Sequence, residues 1–359
     1  MALQIEIIPH TLQFKFSART SRGAMQQHQV FFLKLADSEM PHIFGIGECA
    51  PLPGLSLEHH AGFNHTLSLL VADLNKELTI SGLVALKSIL NSGKYNKYPS
   101  LIFALETAIM DYEAGGNRML YQNSFSKGEA GIPINGLIWM GDEKFMKEQI
   151  SKKLNEGYSC LKLKIGSLDF DTELAILKSI RAVASAAELI IRVDANGAFN
   201  PQDALPKLEQ LAAFHIHSIE QPIKQGQAEL MKSLCQESPV AIALDEELIC
   251  ISEKSCKVEL LNFIQPQYII LKPTLIGGLQ ASAEWISLAE ERRIGWWVTS
   301  ALESNIGLNA ISQFTAQYPI KLQQGLGTGQ LYYNNITSPL FIYQGELYYQ
   351  SMAKWSLEF

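Results

Sequence analysis

Cys160-Leu161-Lys162-Leu163-Lys164-Ile165-Gly166, Ile190-Ile191-Arg192-Val193-Asp194-Ala195-Asn196-Gly197, Ile216-His217-Ser218-Ile219-Glu220-Gln221-Pro222 and Val240-Ala241-Ile242-Ala243-Leu244-Asp245-Glu246 decide the fold. A fifth segment, Tyr268-Ile269-Ile270-Leu271-Lys272-Pro273, repeats the pattern with a lone lysine. Each is a short run of strand-forming residues that ends in charge. Alternation of period 2 puts Lys162 and Lys164 on one face, and Arg192, Asp194 and Asn196 likewise. Lys164 precedes Asp194 by 30 residues, and gaps of 26, 25 and 27 lead on to Glu220, Asp245 and Lys272. Gaps of this size hold one strand, one helix and two short connections, the unit of a parallel β/α fold. In a β/α barrel the C-terminal strand ends converge on one mouth, so three carboxylates and three lysines meet there. Unpaired burial of such groups is costly, and a divalent cation between the carboxylates resolves it.

Around this stretch the same rhythm continues. Strands are expected to start near 133, 160, 189, 216, 240, 267, 294 and 320, with helices over 142–156, 170–186, 201–213, 226–236, 252–261, 279–292 and 305–316. Eight strands with seven helices between them define an α/β protein of modified (β/α)7β TIM-type barrel form, its last helix missing or altered. Residues 3–48 read as antiparallel hairpins, and 57–76, 80–91 and 99–114 as helices, so residues 1–125 form an α+β domain. The barrel is expected over 126–330. Residues 331–359, with a hairpin around Phe341 to Tyr349, are expected to pack back on the first domain.

The 359 residues, 47% hydrophobic and with a net charge of −7, describe a well-cored globular protein and exclude a basic nucleic-acid surface. The five cysteines show no Cys-x-x-Cys pair, no signal-peptide core opens the chain, and no apolar run reaches bilayer length. A reduced, cytoplasmic protein with no membrane partner is the expectation. Nothing in the sequence bears on oligomeric state.

Asp194, Glu220 and Asp245 offer oxygen ligands alone, which favours Mg2+ (or Mn2+ in its place). Strand-end acids also serve as helix N-caps, but three in register with lysines favour the metal. Two lysines side by side near a cation lower one another's pKa and make a neutral amine available as a base. Lys162 is expected to pair with the carboxylates instead. Such a set suits abstraction of a proton α to a carboxylate, with metal and ammonium stabilising the enediolate that develops.

The motifs Lys-Leu-Lys-Ile-Gly, Val-Asp-Ala-Asn-Gly, Ile-Glu-Gln-Pro, Leu-Asp-Glu and Ile-Leu-Lys-Pro resemble, in order and spacing, the muconate-lactonizing subgroup of the enolase superfamily, over nearly the whole chain. General knowledge of such sites already pairs Lys or His bases with Mg2+. The resemblance implies an N-terminal capping domain, Lys164 as base, Lys272 as the opposite lysine, and Asp194, Glu220 and Asp245 as metal ligands. Within the subgroup, Ala18-Arg19-Thr20-Ser21-Arg22-Gly23, Arg192 and Gly325-Leu326-Gly327-Thr328-Gly329-Gln330 resemble its dehydratase branch. Ser300-Ala301-Leu302-Glu303-Ser304 fits too, although related racemases carry a similar segment. The branch implies loss of water from a succinyl-hydroxycyclohexadiene carboxylate, in menaquinone biosynthesis. The small-molecule carboxylate would meet Arg19, Arg22, Arg192, Asn196, Ser300, Glu303, Gly327 and Thr328. The alternatives are an N-acylamino acid racemase or dipeptide epimerase, and a barrel that binds without catalysing.

Overall fold

The structure, a computed structural model, describes residues 3–20, 23–139 and 141–357. Three antiparallel strands, β1 (Leu3–Thr20), β2 (Gly23–Asp37) and β3 (Met40–Cys49), form a sheet in that order. It packs on α1 (Phe63–Asn91) and α2 (Pro99–Glu113), which share a core with it through Phe31, Leu33, Leu67, Leu74, Leu101 and Leu105. The two helices expected over 57–76 and 80–91 are the two segments of α1 on either side of Gly82, whose φ of 63°, which a glycine adopts without strain, interrupts the helix. Its start at residue 63 follows a turn-rich stretch in which Gly62 N–H donates to His60 Nδ1.

After β4 (Ile132–Pro133) come the barrel strands β5 (Gly136–Ile138), β6 (Cys160–Lys164), β7 (Ile190–Asp194), β8 (Ser218–Glu220), β9 (Ile242–Leu244), β10 (Tyr268–Leu271) and β11 (Gly295–Val298), all parallel and adjacent in chain order. The helices between them are α3 (Glu143–Asn155), α4 (Phe170–Arg181), α5 (Pro201–Ala212), α6 (Ala228–Glu237), α7 (Lys254–Ile264), a short α8 (Pro273–Ile276) and α9 (Gly278–Glu291), with α10 (Asn305–Thr315) after β11. Local chemistry starts them. Asp142 caps α3, Asp169 caps α4 and Ser304 caps α10, while Pro201 occupies the first turn of α5.

The eighth strand expected near 320 is not a strand among the described residues. Two residues close the barrel in its place: Gln324 bridges Ile134, and Gly325 bridges Thr299. Gln324 N–H donates to Pro133 O at 2.8 Å, Asn135 N–H to Gln324 O at 2.9 Å, and Gly325 N–H to Val298 O at 2.8 Å. A side chain at 325 would strike Thr299, so the glycine permits the closure. The terminal hairpin also departs from expectation. β12 (Leu340–Tyr343) and β13 (Glu346–Tyr349) add to β4, which precedes the first barrel strand, not to the first sheet. Contact with the first sheet falls to residues 331–334, where Lys15 N–H donates to Leu331 O and Tyr333 N–H to Gln13 O. No helix is long and apolar enough to cross a membrane among the described residues.

Two carboxylates of the first domain fasten it to barrel helices. Buried Glu48 accepts from Ser304 N–H at 2.7 Å, Ser304 hydroxyl at 2.6 Å and Gly307 N–H at 2.8 Å, at the start of α10. Half-buried Glu106 accepts from Leu279 N–H at 2.5 Å and Gln280 N–H at 3.4 Å, at the start of α9. Burial pushes the Glu106 carboxyl up to about 7, against the pull of those two N–H groups. The folded protein therefore binds more protons than the unfolded chain between the ordinary carboxyl value and pH 7. Stability is fully retained below that window and declines as pH rises through it. The decline is at most roughly 3 kcal/mol, and less where water reaches the half-buried group. Denaturant titrations at pH 5 and pH 8 should show a smaller pH loss in Glu106→Gln than in the wild type. Equal losses would contradict this.

Candidate active site

Strand register assembles the site. Lys164 pairs with Asp194, and Asp194 with Glu220, across β6, β7 and β8. Asp245 and Lys272 follow the last residues of β9 and β10. All six groups, Lys162 included, are at most 9% exposed. Lys162 Nζ lies 2.9 Å from Asp194 and contacts Glu220 as well. Lys164 contacts Asp194 and donates to Asn196 Oδ1 at 3.0 Å. Lys272 contacts Asp245, with Glu220 at 3.8 Å. Three lysine and three acidic side chains thus compensate one another where solvent reaches at most 9% of any of them, as buried charge requires.

The acids also stand close enough to act on one another's charge, Asp194 and Asp245 both bearing on Glu220. Both oxygens of Glu220 are buried and accept no hydrogen bond of sound geometry, despite the ion pairs. An all-oxygen donor set of three acids on neighbouring strands fits a hard divalent cation. Among the described residues, no three acidic, imidazole or thiol side chains are already drawn around one point as in a loaded metal site. The ammonium groups lie against the acids instead.

The charges are not equivalent. Burial opposes ionisation of Asp194, yet Lys162 and Lys164 outweigh it and hold its carboxyl well below the usual range. Burial, with Asp194 and Asp245 adding to it, pushes the Glu220 carboxyl well up. Burial also works against the Lys162 charge, but Asp194, Glu220 and Asp245 prevail and raise its pKa. Lys272 is raised in the same way by Asp245 and Glu220. Lys164 alone of the three is lowered, chiefly by burial and with Lys162 contributing.

Above the cluster lies a cavity of about 830 Å3. Its walls include Lys162, Lys164 and Lys272 from the barrel, Ser300, Gly327 and Thr328 from the closing loops, and Phe16 and Leu52 to Leu55 from the first domain. Other residues expected at the substrate are elsewhere. Arg192 lies in the barrel interior off the cavity wall, stacked on Trp297 at 4.0 Å, and donates to Gln323 O at 2.7 Å. Its place two residues before Asp194 sets it one layer below the strand ends. Asn196 is also behind the wall, gripping Lys164, and its amide donates to Glu246 at 3.1 Å. Glu303 is buried and accepts from Thr274, Ser300 and Ala301 N–H. Ser300 was expected to offer its hydroxyl to the substrate. Instead that hydroxyl donates to Glu303 and accepts from Thr328 at 2.8 Å and Leu302 N–H at 3.1 Å, so its capacity is spent within the protein. The side chain of Arg19, and Arg22 altogether, lie outside the described residues.

Sequence reasoning passed over Gln221, which takes a positive φ of 40°, accepts from Asp245 N–H at 3.2 Å and donates to Glu247 at 3.0 Å. It also passed over Asn135 and Trp139, which flank β5 and line the cavity. Their position at a barrel strand was the available signal.

This arrangement, with buried acids and lysines on successive strand ends of a barrel beneath a capping sheet, is that of an enolase-type enzyme. Residues 146–350 match the Enolase C-terminal domain-like family, and the chain belongs to it. The o-succinylbenzoate synthase of Desulfotalea psychrophila is 47% identical over 94% of this chain and 96% of its own length. The crystal structure of MenC from the same organism superposes with a TM-score of 0.84 at 43% identity, covering 97% of this chain and 99% of that one. A dipeptide epimerase of Enterococcus faecalis, solved with Mg and the dipeptide L-Leu-L-Tyr, shares the fold at a TM-score of 0.81 and 21% identity, covering 99% and 98% of the two chains.

Because Asn196 orients the Lys164 amine without reaching the cavity wall, Asn196→Ala should cost catalysis more than stability. The expected loss in kcat/KM is about 10- to 100-fold, the range for residues that hold a reacting group in place. Steady-state kinetics beside a thermal melt would measure both, and unchanged kinetics would contradict the role.

Proposed function

We propose that the chain is a carbon–oxygen lyase that converts 2-succinyl-6-hydroxy-2,4-cyclohexadiene-1-carboxylate to o-succinylbenzoate by syn-dehydration. Asp194, Glu220 and Asp245 would hold Mg2+ (or Mn2+), whose charge favours the enediolate over the bound carboxylate. The observation that carries the reading is the 47% identity over 94% of the chain to an o-succinylbenzoate synthase, joined to the buried Lys164 amine on the cavity wall. The count of lining lysines does not set the charge of the guest, because Lys152 and Lys153 pair with Glu156, and Lys162 with Asp194 and Glu220.

Lys164, whose pKa burial lowers, acts as the neutral amine that takes the α-proton. The C–H pair passes into the enediolate, and the new ammonium stands on the face from which the hydroxyl departs. Return of that proton to the leaving oxygen releases water and restores the amine. Lys272, held as an ammonium by Asp245 and Glu220, stays charged and stabilises the negative intermediate from its own strand end. Lys162, bonded to Asp194 and Glu220, keeps the acids in place. Aromatisation makes the reaction strongly downhill.

One observation favours a second reading. Lys164 and Lys272 both line the cavity, as the two-base chemistry of an N-acylamino acid racemase requires. Deuterium uptake at the α-carbon of an N-acylamino acid, without dehydration of the cyclohexadiene, would select it.

An absorbance assay for the aromatic product tests the dehydratase directly. Turnover should be abolished by EDTA and restored by Mg2+. Lys164→Ala and Lys272→Ala should each lower kcat by about 10^2- to 10^4-fold. Ordinary turnover by either variant would remove the mechanism.

A further inference from the structure

His28 lies in β2 of the first domain, 1% exposed, with its ring between two backbone carbonyls. Nδ1 is 3.0 Å from Leu302 O, and Nε2 is 3.4 Å from Pro51 O. The two carbonyls belong to different walls of the cavity. Pro51 leads into Leu52, Pro53, Gly54 and Leu55, which form its capping side, and Leu302 ends the barrel segment that begins at Thr299. Burial lowers the imidazole pKa and keeps the ring neutral, with one N–H; placed on Nδ1, at the shorter distance, it donates to Leu302 O, while the other ring edge packs against Pro51. One side chain of the first domain is thereby bonded to the barrel wall.

Both segments are conformations that need holding. Leu302 takes a φ of 71°, a left-handed geometry unfavourable for leucine. Its carbonyl also accepts from Tyr332 hydroxyl at 2.6 Å. On the capping side, Leu52 N–H donates to Ser56 Oγ at 2.7 Å, and buried Glu58 accepts from Ser100 N–H at 2.8 Å. The far end of the capping segment is thus pinned to α2, and its near end packs against the His28 ring that donates to Leu302.

The geometry points to His28 as a positioning residue that locks the two walls together and keeps the cavity in the shape the substrate requires. It neither lines the cavity nor touches the acids, so its effect falls on binding more than on proton transfer. That consequence for turnover rests on the dehydratase reading, whereas the lock between the walls does not.

The test compares wild type, His28→Leu and His28→Gln as full-length, Mg2+-supplied protein, by backbone hydrogen exchange and by dehydratase kinetics. His28→Leu should exchange faster over 299–304, and raise KM about tenfold while kcat changes little, as for a lost buried hydrogen bond. His28→Gln, which keeps a donor, should recover most of both. Should His28→Leu fail to fold, His28→Asn, too short to reach Leu302 O, takes its place with the same expectation. Exchange unchanged over 299–304 would overturn the proposal, as would a fall in kcat at unchanged KM. If the wild type itself does not turn over the cyclohexadiene substrate, the dehydratase reading fails and exchange alone judges the lock.

Discussion

Mutual neutralisation of six buried ionic groups is the constraint on which this structure depends. Asp194, Glu220 and Asp245 end neighbouring strands, and Lys162, Lys164 and Lys272 reach in among them. No one of these charges could be removed cheaply, because its partners would then be buried without compensation. The barrel meets the constraint through register, with Lys164 opposite Asp194 and Asp194 opposite Glu220, and through strand ends, with Asp245 and Lys272 following β9 and β10. The inequality of the lysines follows from their partners. Lys162 touches two carboxylates and Lys272 one, with a second nearby, whereas Lys164 shares its single carboxylate with Lys162 and leans on an amide.

The first domain completes what the strand ends begin. It roofs the cavity with Phe16 and the 52–55 segment, and it is bound to the barrel by Glu48 at α10, Glu106 at α9 and His28 at Leu302. Beneath this roof the six groups are at most 9% exposed, and that shielding from solvent strengthens every electrostatic interaction between them. Kinship with the Desulfotalea psychrophila enzyme extends over almost the entire chain, and the more distant epimerases share the scaffold.

Much of this was legible in the sequence because strand-end charge at β/α spacing is a long-range signal carried by short local patterns. Lys162, Lys164, Asp194, Glu220, Asp245 and Lys272 could each be placed by period and interval alone. What escaped depends on contacts that no local pattern encodes. The eighth strand shrank to Gln324 and Gly325, since closure needs two bridging residues and a missing side chain instead of an apolar run. Ser300 stood where a substrate donor was expected, but its hydroxyl turns toward Glu303 three residues on. Arg192 shares a face with Asp194, yet two residues of strand put it a layer deeper, against Trp297. The hairpin at 340–349 chose β4, a two-residue strand too short to be marked by alternation.

The central claim is that the three acids, now answered by lysine ammonium groups, form one site for a divalent cation. Calorimetric titration with Mg2+, on wild type and on Glu220→Gln, tests it without reference to turnover. The account predicts one ion bound per wild-type chain, and binding weakened at least about tenfold in Glu220→Gln, as loss of a charged ligand implies. Absence of binding by the wild type, or equal affinity in the variant, would contradict it.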